Sequence, residues 1–369
     1  MGVRSTNPTQ SFFDDFIRSG TDAVRPFVTF FAIAVSHQSS PYISVYSWTP
    51  GTGFGTKFAN PTDLQGNSGY SVNWNSDATF IASGGSVSPY VSAYPWSSAG
   101  FGTKVSNPAS LPTGFANHVV WSHDDSYIAV GNNTASPYIH VYAWSASGFG
   151  SAVSDPASSP GLSTQMIAWS PNDNDIAIAN NNNPRLHVYP WASGFGTKYS
   201  NPDTIPTGDC NAVDFHPDGN VIAVAHDVSP YVSAYPWTHN ASGGSNDGFG
   251  TKYSNPSTLP SNTGEGIAFS PDGNDIAVAH ASSPYISVYP WSSGFGTKYS
   301  NPSTLPPNLG KGVAFSPDGT DIAVCHLDSP YVSVYPWTSG TGFGTKYSNP
   351  STLPPADAAN VAFSPAYSH

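Results

Sequence analysis

The chain has 369 residues, with eleven histidines, two cysteines and a single glutamate, Glu265. Four of the histidines, His37, His226, His280 and His326, hold one position of an internal repeat, where other copies carry Gly85, Asn132 and Asn180. A ring of imidazoles invites a metal, because neutral imidazole is a common ligand. Zinc needs its ligands within about 2 Å of one ion, however, and equivalent positions of separate repeats lie too far apart to converge on it. The reading is architectural: each side chain bonds the turn beside it. Asp272-Gly273-Asn274-Asp275 shares part of a calcium-loop pattern but lacks its carboxylate spacing and distal Glu, so it reads as a turn. Asp124-Asp125 falls in an equivalent turn. No Ser-His-Asp order and no nucleophile-elbow sequence recurs, although triads assemble in space rather than in sequence. The expectation is a protein that is not an enzyme, with no catalytic residues, no metal and no cofactor.

Composition says what must position these residues. Only 9% of the chain is charged, whereas Gly and Pro number 35 each and aromatics reach 14%. Disordered chains are charge-rich and aromatic-poor, and disulfide scaffolds need many cysteines. Short strands joined by Gly/Pro turns remain, hence an all-β protein. The net charge of -12 argues against nucleic acid, whose binding needs cations to neutralise phosphates, and against an anionic membrane surface. The longest apolar run, Phe27 to Val35, is far short of the roughly 20 residues of a membrane span. The start, Met1-Gly2-Val3-Arg4, has no basic-then-apolar signal pattern and meets a myristoylation pattern only loosely. Cys210, in a predicted loop, and Cys325, in a predicted strand, read as two unpaired thiols of a protein made in a reducing compartment.

Self-similarity organises everything after residue 27. A Trp closes the same segment at Trp48, Trp96, Trp144, Trp191, Trp237, Trp291 and Trp337, seven copies. A period of roughly 40–50 residues with four strand-like pieces indicates a propeller blade. Strand a is the apolar stretch before Ser-Pro-Asp-Gly, as at Gly266 to Ser270. Strand b is Ile276 to Ala279, strand c Tyr285 to Trp291, and strand d runs from Gly-Phe-Gly to Asn301-Pro302. Strand d should be the outer edge, and it carries Lys57, Lys104, Lys198, Lys252, Lys298 and Lys346, six of the seven lysines. Such residues either form a cationic rim or simply block edge-to-edge pairing. The last repeat stops after strand a and the first begins at strand b. One composite blade, closed by the C-terminus, is therefore expected, and it removes the open sheet edges.

Ile267-Ala268-Phe269-Ser270-Pro271-Asp272-Gly273, the small-residue strand b and the Trp ending strand c resemble the WD-repeat-like β-propellers over residues 28–369. The resemblance implies a seven-bladed, four-stranded antiparallel propeller. The family's Asp after Trp is absent here, which puts its hydrogen-bonded tetrad in doubt. The Ser-Pro-Tyr and Gly-Phe-Gly-Thr-Lys-Tyr-Ser-Asn-Pro wording resembles propeller repeats of bacteriophage structural proteins. That second resemblance implies a virion component made in the host cytoplasm, tail-associated or on the capsid surface.

Two segments leave the repeat. Residues 1–27 hold Arg4, Arg18 and Arg25, three of the four arginines, balanced by Asp14, Asp15 and Asp22. Phe12, Phe13, Phe16 and Ile17 suit one side of a short helix capped by Ser11. This segment is either an anchor inserted into other virion proteins or a strap on its own propeller. The second segment, Thr238 to Gly248, is eight residues longer than its counterpart in the next blade and contains His239, Asn240, Asn246 and Asp247. It is either a ligand loop or a tolerated insertion, and it should leave from the face of the a–b turns. The expected function is non-enzymatic: attachment through residues 1–27, with the propeller at 28–369 as an outward adhesin or decoration that meets host-surface glycan. The alternative is a bacterial carbohydrate-binding or protein-interaction propeller.

Overall fold

Strand b of one repeat, Asp275–His280, shows why the chain stacks into blades. All six of its residues are buried, so both faces of the sheet must be covered. Ile276 and Val278 face Ala223, Ala225 and Ala234 of the preceding blade, while Ala277 and Ala279 receive Ile322 and Val324 of the following one. Large side chains thus fill the space left by small ones, as dense packing requires. The turn before the strand is built by Ser270, whose Oγ donates to Asp272 Oδ1 at 2.7 Å and accepts from Asp275 N at 2.9 Å. Gly273 closes it at φ +72°, a left-handed conformation that glycine takes without steric cost.

The computed structural model describes residues 29–64, 66–239 and 248–368. It is an all-β ring of seven antiparallel blades. Their inner strands a are Ala358–Phe363, Gly69–Trp74, Ala116–Trp121, Thr164–Trp169, Cys210–Phe215, Gly264–Phe269 and Gly310–Phe315, for blades 1 to 7. Blade 1 is composite, as expected. Its strand b, Thr29–His37, pairs with Ala358–Phe363 from the far end of the chain, with Ile33 opposite Phe363 and Val35 opposite Val361. No helix is long and apolar enough to cross a membrane among the described residues.

Strand d departs from expectation. It has five residues in Gly53–Lys57 and Gly148–Ala152, but two in Gly100–Phe101, Gly248–Phe249 and Gly342–Phe343. Blades 4 and 6 keep only the bridges Trp191–Phe195 and Trp291–Phe295. The five short cases run beside Pro95, Pro190, Pro236, Pro290 and Pro336 of strand c, and the two long ones beside Ser47 and Ala143. Proline has no N–H to give to a ladder, so one half of the pairing is lost at that residue. Its carbonyl still accepts, as from Gly296 N to Pro290 O at 2.7 Å, and one further bond follows, as from Tyr299 N to Val288 O at 2.9 Å. Beyond the short strand, each outer lysine folds back onto the asparagine three residues on, as Lys104 Nζ to Asn107 Oδ1 at 2.7 Å and Lys198 Nζ to Asn201 Oδ1 at 2.6 Å. The lysines thus pin the chain that leaves the blade. Cys210 is a further correction: it opens a strand rather than lying in a loop, and it and Cys325 are free, buried thiols.

Candidate functional site

The histidine ring is structural in detail. His37, His226, His280 and His326 each place Nε2 at 3.0 Å from a strand-c serine: Ser44, Ser233, Ser287 and Ser333 respectively. His37 Nδ1 lies 2.8 Å from Ser39 O, and His326 Nδ1 2.7 Å from Asp328 O, both in the b–c turn. Burial lowers all four to about 4, so they are neutral near pH 7. Among the described residues no group of three or more His, Cys, Asp or Glu is placed to hold a metal.

The seams between blades carry a network that the repeat concealed. Asp275, at the start of strand b in blade 6, accepts Trp337 Nε1 of blade 7 at 3.0 Å and Tyr299 Oη of its own strand d segment at 2.8 Å. Asp321 accepts Trp48 Nε1 at 3.0 Å and Tyr347 Oη at 2.8 Å, which locks blade 7 to composite blade 1. Asp175 accepts Trp237 Nε1 at 2.9 Å and Tyr199 Oη at 3.0 Å. These clamps join neighbouring blades. His239, the root of the long loop, sits on the third clamp, with Nδ1 at 3.0 Å from Asp175 Oδ1 and 3.2 Å from Tyr199 Oη. His239 thus stands on the a–b turn side, with its side chain turned inward. Asn240, Asn246 and Asp247 lie outside the described residues, as do Arg4, Phe12, Phe13, Phe16, Ile17, Arg18 and Arg25.

The axial channel gathers the remaining chemistry. It is lined by the strands a, whose second residues form one mouth: Tyr70, Asn117, Gln165, Asn211, Glu265 and Lys311, with Ala359 the one small side chain among them. Gly266 and Gly312 let two of these strands approach closely, because a Cβ on Gly266 would meet Gly312 Cα at 2.9 Å. Glu265 Oε2 and Lys311 Nζ consequently meet at 2.8 Å. The only glutamate thus pairs with the only lysine outside the blade rim. Asn117 Nδ2 donates to Thr164 O at 3.0 Å, Asn211 Nδ2 donates to Gly264 O at 2.9 Å, and Tyr70 stacks on Phe115 with centroids 6.5 Å apart.

The other mouth opens on a cavity of 370 Å³ whose lining includes Asp214, His123, Trp121 and Phe269. Asp214 accepts Phe269 N at 2.8 Å and Phe215 N at 2.9 Å, yet burial raises its carboxyl to about 7. His123, bonded to Asp173 at 3.0 Å, is raised above its ordinary value chiefly by that bond. Such a mouth can give and take a proton near neutrality. Sequence reasoning missed both mouths. The available signal was departure from the repeat: Glu265, Lys311 and Asp214 stand where sister blades carry other residues.

A closed ring of seven four-stranded antiparallel blades around such a channel defines a seven-bladed β-propeller. Solved propellers share the architecture. A Bacteroides fragilis protein provisionally named a 6-phosphogluconolactonase is 13% identical with TM-score 0.70, covering 93% of this chain and 99% of its own. The periplasmic gluconolactonase PpgL of Pseudomonas aeruginosa is 14% identical with TM-score 0.69, covering 90% and 99%. A chain of a mitotic checkpoint complex is 19% identical with TM-score 0.57, covering 82% and 85%. Similarity at this level shows the fold, and a fold hosts many functions. No protein-family model and no curated protein matches the chain.

Proposed function

We propose that this chain is a non-enzymatic recognition module of a bacteriophage virion. Residues 1–27 attach it to other virion proteins, and the propeller faces outward to meet host-surface glycan. The observation that carries the recognition role is the mouth built by Tyr70, Asn117, Gln165, Asn211, Glu265 and Lys311. A repeating scaffold thus gathers six polar or aromatic side chains that differ from blade to blade at this end of the channel. Amide oxygens and the Glu265–Lys311 pair suit sugar hydroxyls, and the Tyr70–Phe115 pair offers a stacking face.

A glycan array with the full chain, followed by titration of the best ligand, tests this reading. The double variant Glu265→Gln, Lys311→Met is expected to weaken binding about tenfold or more while the melting temperature stays within a few degrees. Absence of any glycan ligand, or undiminished binding by the variant, overturns it. Attachment is tested separately. A chain lacking residues 1–27 is expected to fold as a propeller and to be missing from assembled particles; its incorporation at wild-type level refutes the anchor.

Asp214 favours a second reading, a hydrolase acting on a sugar lactone in the manner that the names of the Bacteroides fragilis and Pseudomonas aeruginosa neighbours suggest. A carboxyl near pH 7 inside the channel suits general acid–base work. Hydrolysis of gluconolactone above the spontaneous rate, abolished in Asp214→Asn, is the result that establishes it. A rate equal to buffer alone dismisses it.

A further inference from the structure

The seam between blades 5 and 6 repeats the clamp with its acceptor missing. Trp291 and Tyr253 stand where Trp337 and Tyr299 stand one seam on, and the rings keep the same edge-to-face arrangement: 5.2 Å at 82° against 5.0 Å at 87°. The strand-b position that is Asp175, Asp275 or Asp321 at the clamped seams is Val221 here. A valine ends one bond short of a carboxylate oxygen, so its methyls do not fill the place of the acceptor. Trp291 is only 6% exposed. Its Nε1 and Tyr253 Oη have no hydrogen-bond partner among the described residues, and both residues line a cavity of 360 Å³. Both donors face open space in that cavity, so an incoming carboxylate takes the place of solvent and forms the stronger, charge-assisted bonds. The remaining three seams do not present this pair. Strand d carries Phe58, Val105 and Val153 there in place of the tyrosine, and the packing is apolar, as Phe80 on Trp144 at 5.2 Å.

We propose that this seam binds the carboxylate of an acidic sugar, a uronic acid, with the carboxylate on Trp291 Nε1 and Tyr253 Oη. The cavity continues outward into a second hollow of 340 Å³ that shares Tyr253, Ser292 and Ser293 and adds Ser254 and Asn255. Hydroxyls and an amide beyond the carboxylate position match the hydroxyls of a sugar ring. Asp218 and Asp272 both lie on the cavity wall and repel an anion. Their counterparts at the next seam, Asp272 and Asp318, flank the Asp275 carboxylate in the same way, and that clamp forms all the same. The site is separate from the channel mouth and does not rest on the reading given to it.

The test is titration of the full chain with sodium D-glucuronate, D-glucose and sodium acetate, followed by calorimetry or by tryptophan fluorescence. Saturable binding of glucuronate is expected, with acetate weaker and glucose silent. Val221→Asp supplies the internal acceptor of the sister seams, so it is expected to abolish glucuronate binding while melting at or above the wild-type temperature. Tyr253→Phe, which keeps the ring, is expected to weaken binding about tenfold. Glu265→Gln, Lys311→Met is expected to leave it unchanged. No saturable glucuronate binding, glucose binding as tight as glucuronate, or full affinity in folded Val221→Asp or Tyr253→Phe overturns the proposal.

Discussion

A chain lacking residues 360–369 is expected to lose cooperative folding of the whole ring rather than one edge of it. These residues form most of the strand that closes blade 1, and what they contact spans both ends of the sequence. Val361 and Phe363 are 3% and 7% exposed, and Phe363 packs on Trp48 at 5.5 Å. Ala32 N donates to Ser364 Oγ, and Ser364 N to Ala32 O, both at 2.8 Å. Two buried side chains contribute about 2–3 kcal/mol each and the bonds about 1 kcal/mol each, a sum comparable with the whole stability of many domains, about 5–15 kcal/mol. The loss also leaves the inner edge of Thr29–His37 unpaired and uncovers the faces of blades 2 and 7 that touch it. Scanning calorimetry should show no single sharp transition for the truncated chain. Melting at the wild-type temperature would mean that the composite blade does not hold the ring together.

Acidification is expected to unfold the protein between pH 6.5 and 4. Burial lowers His37, His118, His187, His226, His280 and His326 to about 4 from an ordinary value of 6.5. Within that window the unfolded chain binds protons that the folded one refuses. Stability therefore rises with pH through the window and is lost as pH falls. Each pKa unit corresponds to about 1.4 kcal/mol; one unit realised at each of six sites already amounts to roughly 8 kcal/mol, as large as a typical domain stability. Asp214, raised to about 7, acts in the opposite direction, because its folded form keeps a proton that the unfolded form has released. His123 and Asp321, also raised in the folded ring, act in the same sense as Asp214, and these three groups are outweighed by six. Thermal midpoints at pH 7, 6, 5 and 4 should fall steadily, and His280→Asn should flatten the slope, since Asn132 and Asn180 fill the same position in sister blades. A midpoint independent of pH over this range would show that the imidazoles reach water in the folded ring.

How far the sequence could be read depended on whether a residue acts through its own repeat. Turn chemistry around Ser270–Gly273, the doubly buried strand b and the complementary chain ends are local or periodic, and they were legible. The role of the histidines was legible in part: His37 and His326 bond the b–c turn as expected, whereas the partner shared by all four is a serine of strand c, as Ser287 is for His280. The short strands d were misjudged because the proline that cuts the ladder belongs to strand c, and its effect appears only across the pair.

The amino-acid sequence by itself determined the number of blades, their strand order, the closure and the packing of large against small side chains, since each follows from spacing along one chain. Only the tertiary structure decided the chemistry. Glu265 and Lys311 are 46 residues apart, and Asp321 and Trp48 are 273 apart. Closing the ring brings such pairs within hydrogen-bond reach, and at one seam it leaves Trp291 and Tyr253 facing a valine. Interactions between neighbouring blades depend on which residue stands opposite which, and a repeat that looks the same in every copy does not reveal that pairing.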